Sequence, residues 1–65
     1  MFGDNLKQLR SQHHLSQQKL AEQLNNKYET SISKSMISRW ERGATDPQMK
    51  YVHIIADFFN VSTVS

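Results

Sequence analysis

Apolar residues recur at helical spacing along this whole chain, and only one proline and two glycines interrupt them. That pattern leaves little room for a sheet. At 65 residues the chain makes a single domain, residues 1–65. A domain this size buries only about 60% of its unfolded surface, so every apolar side chain matters. The fold class is all-α: short helices with brief connections around one small core.

The spacing predicts four helices and the start of a fifth. The first runs from Asp4 to His13, with Phe2, Leu6 and Leu9 on a narrow apolar face. Asp4 suits the positive end of the helix dipole. The second is announced by "LSQQKLAEQL". Ser16 is its N-cap, Leu15 and Leu20 form a hydrophobic staple, and Leu20, Ala21 and Leu24 share a face that Tyr28 extends. The helix ends near Tyr28 or Glu29, and a loop continues through Ile32. The third is capped by Ser33, turns Ile37 and Trp40 inward, and stops at Gly43 as its C′ residue. Asp46 with Pro47 at the first helical position opens a fourth. Its inner face is Val52, Ile55, Ala56 and Phe59, with Met49 and Phe58 at the margins and Asn60 at the end. "VSTVS" reads as the cap and first turn of another helix.

Several functional classes drop out on composition. There is no cysteine, hence no disulfide framework and no thiolate chemistry, which favours a cytoplasmic setting. No apolar run approaches the roughly 18 residues a membrane span needs, and the N-terminus lacks a signal-peptide pattern. His13, His14 and His53 do not stand at metal-ligand spacing, so no metal and no cofactor is expected. Hydroxyls are plentiful, but nothing places a base beside one, and an enzyme is not expected. The net charge of +2 permits a polyanionic partner without demanding one. Its distribution says more: Lys34, Arg39 and Arg42 face a single Glu41 within one short segment.

That segment, "SISKSMISRWERG", together with "LKQLRSQHHLSQQKLAEQL" before it and "DPQMKYVHIIADFFNVS" after it, resembles the Cro and phage-repressor helix-turn-helix family, also called XRE. The likeness runs from Leu6 to Ser62. It implies a lambda-repressor-like compact bundle of four to five short helices containing a helix-turn-helix. The residue types at these positions agree with it. Ala21 is small enough for a close helix crossing, and Ile37 and Trp40 lock the second helix of the motif down. The opposite face, with Lys34, Ser35, Ser38 and Arg39, is left for the major groove.

The resemblance also implies roles. Lys34, Ser35, Ser38 and Arg39 match base-contacting positions. Gln17, Arg42 and the backbone after Gly43 match phosphate-contacting ones. Arg10 and Glu41 match a structural ion pair between the first helix and the recognition helix, which spans about 34–42. It implies a transcriptional repressor of bacterial or phage type, bound to double-stranded DNA at a palindromic operator. It also implies a homodimer of a longer protein, of which this is the N-terminal part. One departure stands out: "NNKYETSI" replaces the family's tight turn and is about six residues longer. The second helix is then longer by a turn or more, Ile32 takes over the packing of the turn's usual valine, and Lys27 is a further candidate phosphate contact.

Other readings compete. Arg39 and Arg42 also read as solvent-facing charges of an amphipathic helix; the surrounding motif decides for Arg39 and leaves Arg42 open. Lys34 and Ser35 read as a helix start as well. Phe58 and Phe59 are core residues, with one of them available to a partner subunit or a further helix. The same fold serves antitoxins and controller proteins that bind DNA and a protein partner. It also serves interaction modules with no DNA role, in which acidic or apolar residues would be expected where Lys34 and Arg39 stand.

Overall fold

In the computed structural model, residues 2–61 are described. Four helices are present: α1 (Phe2–Gln12), α2 (Gln17–Tyr28), α3 (Lys34–Glu41) and α4 (Met49–Phe59). α1 packs on α3, and α2 packs on both α3 and α4. α3 is therefore held by both α1 and α2, and its outward face is left free.

The helix ends follow local chemistry. Ser16 caps α2: its hydroxyl accepts the Lys19 N–H at 3.0 Å. Ser33 caps α3 by accepting the Met36 N–H at 3.1 Å, and the Met36 sulfur in turn faces the Ser33 N–H at 3.5 Å. A thioether thus stands where a capping box ordinarily has a glutamate. At the far end of α3 the Gly43 N–H reaches the Trp40 carbonyl and the Ala44 N–H reaches that of Arg39. This is a Schellman closure, and Gly43 supplies its left-handed φ of 73°. Asn60 ends α4 in the same left-handed region.

Three sequence expectations need correction. α1 begins at Phe2 rather than Asp4 and ends at Gln12 rather than His13. α4 begins at Met49, with Gln48 as its N-cap, so Asp46 does not cap it and Pro47 is not its first residue. Proline fixes φ near about −65°, a value shared by the helix and the extended polyproline conformation, so it does not choose between them. Gln48 itself is extended, at φ −65° and ψ 153°, and its carbonyl accepts the Tyr51 and Val52 N–H groups. Met49, expected at the edge of the inner face, points to solvent with 62% of its surface exposed. The expected further helix at Ser62–Ser65 lies outside the described residues.

The core is built from every helix. Leu6, Leu20, Leu24 and Ile37 are fully enclosed. Ala21, Ile32, Trp40, Ile55 and Phe59 complete it, and Phe2, Leu9, Leu15 and Tyr28 pack on its edge. The Trp40 and Tyr51 rings pack at 5.5 Å between centroids and tie α3 to α4. Each fully buried aliphatic side chain contributes about 1.5–3 kcal/mol, which in so small a core makes single truncations serious.

One close approach was not anticipated. Gly3 lies under the C-terminal end of α3, where a Cβ would overlap the Trp40 carbonyl oxygen and lie 2.8 Å from that of Glu41. An isolated glycine inside a helical pattern usually has a packing reason, and here backbone contact between two helices supplies it.

Candidate nucleic-acid interface

Ile37 and Trp40, three apart, anchor α3 to the core at 0% and 5% exposure. Helical geometry then dictates which residues face outward: Lys34, Ser35, Ser38 and Arg39, with Arg42 one turn on. These five residues line one shallow surface depression, and the sixth residue lining it is Gln17, from the first turn of α2. Lys34, Ser35, Arg39 and Arg42 are exposed and Ser38 is half-buried. The depression thus holds three cations, two hydroxyls and an amide, with no carboxylate.

The nearest carboxylate, Glu41, is already engaged. Its Oε2 accepts the Arg10 Nε–H at 2.7 Å, and its Oε1 accepts the Arg10 Nη2 at 3.0 Å. The remaining Nη1 donates to the Leu15 carbonyl at 2.8 Å. Both side chains are largely enclosed, at 15% and 5% exposure. The hydrogen bonds that Arg10 donates to Glu41 raise its pKa above its already high ordinary value, against an opposing contribution from burial. One guanidinium therefore joins α1, the α1–α2 connection and the end of α3.

Gln17 enters the same network. Its Nε2 donates to Glu41 Oε1 at 3.0 Å. A primary amide has two hydrogens, so one fixes the side chain and the other remains for a second acceptor. Arg42 also leans on its own helix, with Nε 3.4 Å from the Ser38 carbonyl.

Lys27 stands apart. Its Nζ lies 5.4 Å from the Tyr28 ring centroid and 6.0 Å from that of Phe58, in the last turn of α2, and it does not line the depression. Of the residues singled out from the sequence, Gln17, Lys34, Ser35, Ser38, Arg39 and Arg42 come together, and Arg10 and Glu41 meet directly behind them.

The connection between α2 and α3 is held by a residue that sequence reasoning missed. The Asn25 side chain accepts the Ile32 N–H at 2.8 Å and the Thr30 hydroxyl at 2.7 Å, and it donates to the Ile32 carbonyl at 2.8 Å. Glu29 reverses the chain there at φ 54°. Nothing in "NNKYET" distinguishes Asn25 from Asn26, and only the fold reveals which one turns inward.

A helix-turn-helix family model matches residues 6–64, nearly the whole chain and all of this surface. The chain belongs to the XRE-type helix-turn-helix family. This is a family of DNA-binding transcription regulators. The chain is also 39% identical over 61 residues to the HTH-type transcriptional activator BcrR of Enterococcus faecalis, a match covering 94% of this chain. It spans only 27% of that relative's length. No solved structure gives a significant match. Among the described residues no helix is long and apolar enough to cross a membrane.

Proposed function

We propose that this chain is a sequence-specific, double-strand DNA-binding domain that regulates transcription by occupying an operator. The observation that carries this reading is the depression lined by Gln17, Lys34, Ser35, Ser38, Arg39 and Arg42. In it, α3 lies in the major groove. Arg39 donates bidentately to guanine O6 and N7, Lys34 donates to the same edge, and Ser35 and Ser38 discriminate less sharply. Gln17, oriented by Glu41, and Arg42 hold phosphates and fix the register. The Ala44 N–H is spent on the Arg39 carbonyl, so a backbone phosphate contact after Gly43 falls to Thr45 or beyond. Lys27 is the outlying member of the phosphate set and acts there only on DNA that wraps past α2.

Occupancy favours repression, because a bound domain excludes other proteins from its site with no chemistry of its own. A second reading, activation, is favoured by the name of the Enterococcus faecalis relative. The shared segment is a minor part of that protein, so it bears on where the protein binds more than on the regulatory outcome. Binding as a homodimer of a longer, cytoplasmic protein suits a palindromic operator with half-sites about one helical turn apart.

The test is an NMR titration of the chain with a random-sequence duplex about two helical turns long, at two salt concentrations. Salt-sensitive shifts at Gln17, at Lys34–Arg42 and after Gly43 are expected. Shifts confined to α4, or none at all, would refute the interface.

A further inference from the structure

We propose that Asn25 is a positioning residue for base recognition, holding the leading end of α3 so that Lys34 and Ser35 meet their base edges. This deepens the DNA-binding reading above and rests on it.

The two ends of α3 are secured by different means. From its fourth residue onward the helix is fixed by Ile37 and Trp40 in the core, by the approach of Gly3 to the Trp40 and Glu41 carbonyls, and by the Arg10–Glu41 pair. Its first turn is held more lightly: Lys34, Ser35 and the cap Ser33 are exposed, and of its side chains Met36 alone packs on the core, partly buried and paired with Ser33 in the cap. Immediately before them stands Ile32, buried at 3% exposure one residue ahead of the cap. Burying Ile32 brings its backbone N–H and carbonyl inward, where both need partners. The Asn25 amide satisfies the two together, as a neighbouring strand would, and takes the Thr30 hydroxyl on the same oxygen. The position of Ser33, and with it the start of α3, is thereby referred to a fixed point two turns along α2. Among the described residues no other α2 side chain hydrogen-bonds to this connection.

Loss of Asn25 therefore acts unevenly along α3. The start of the helix is released while the part that carries Arg39 and Arg42 stays anchored through Ile37, Trp40 and Glu41. A contribution to stability alone would lower affinity for every duplex alike, or not at all once the protein is folded.

The experiment selects a duplex from a randomised library with the wild-type chain. It then measures binding of the wild type, Asn25→Ala, Asn25→Asp and Thr30→Ala to that duplex and to each of its single-base-pair variants, at a temperature where Trp40 fluorescence reports every protein folded. Lys34→Ala and Arg39→Ala identify which base pairs each end of α3 reads. Asn25→Ala is expected to lose about five- to thirtyfold discrimination at the base pairs assigned to Lys34, and to keep it at those assigned to Arg39. Asn25→Asp, which keeps the acceptor but turns a carboxylate oxygen toward the Ile32 carbonyl, should show the same pattern. Thr30→Ala, which leaves the Asn25–Ile32 pair intact, should show the wild-type profile. A uniform loss, or none, overturns the assignment while leaving DNA binding in place. Absence of duplex binding by the wild type removes the DNA reading itself. Hydrogen exchange on the wild type is the second measurement and needs no variant to fold. The Ile32 amide should exchange as slowly as core helix amides, and exchange at the rate of an open loop overturns the proposal.

Discussion

Glu41 holds Arg10 through both carboxylate oxygens, across thirty-one positions of sequence, and receives Gln17 on one of the same oxygens. The pair sits mostly out of water, so its Coulomb energy is offset by desolvation, and the cost appears when only one partner is removed. Arg10→Ala and Glu41→Ala should each destabilise the domain by about 2–4 kcal/mol in urea unfolding followed by Trp40 fluorescence. A double replacement, Arg10→Met with Glu41→Leu, should cost clearly less than the sum of the two alanine changes. Additive losses would mean the two side chains act independently.

Gly3 and Trp40 give a prediction of opposite sign to helix propensity. Alanine at an exposed helical glycine normally stabilises by about 1 kcal/mol. Here the added methyl meets backbone carbonyls of α3, which cannot swing aside as a side chain would. Gly3→Ala should lower the thermal midpoint, and an increase would place α1 farther from α3. Trp40→Ala should be harsher, about 3–5 kcal/mol, enough to unfold much of so small a domain. An unchanged melting curve would contradict its place in the core.

Legibility in the sequence tracks the range of each interaction. Leu20, Ala21 and Leu24, or Ile37 and Trp40, declare their inward face through spacing alone, because helix geometry is local. Ser16, Ser33 and Gly43 are equally legible, since a cap satisfies backbone groups only a few residues away. Pro47 misled because its fixed φ suits two conformations, and Gln48 decides between them. Asn25 and Gly3 were not legible in role: each acts on a residue brought near by the fold, and neither composition nor period records that. Gln17, Lys34 and Arg39 were singled out through family resemblance. Their assembly into one depression required the packing of α2 against α3.

Arg39 and Arg42 border the same depression but should behave differently on DNA. Arg39→Ala is expected to cost about 1–3 kcal/mol on the selected duplex and to relax preference at one base pair. Arg42→Ala should weaken binding to all sequences about equally and reduce the slope of log affinity against log salt by about one. Fluorescence anisotropy over a salt series separates the two outcomes. Equal loss on every duplex for Arg39→Ala would move it to the phosphate set.

Tyr28 carries a pH dependence that can be followed optically. Its hydroxyl donates to the Asp57 carboxylate at 2.5 Å, joining the end of α2 to α4. Burial, then the hydrogen bond to Asp57 and its negative charge, push the phenol up to about 12 from an ordinary value of 10.0. Because the folded value is the higher one, the stabilisation is complete below pH 10 and is lost as pH rises towards 12. The phenolate absorbance of Tyr28, isolated by comparison with Tyr28→Phe, should therefore appear late in an alkaline titration. Asp57→Asn should move it earlier, though not fully to the ordinary value, since burial is the larger cause and survives the change. Tyr28→Phe should also flatten the fall in stability over that window. A Tyr28 that titrates with an ordinary phenol would mean the link between α2 and α4 is open in solution.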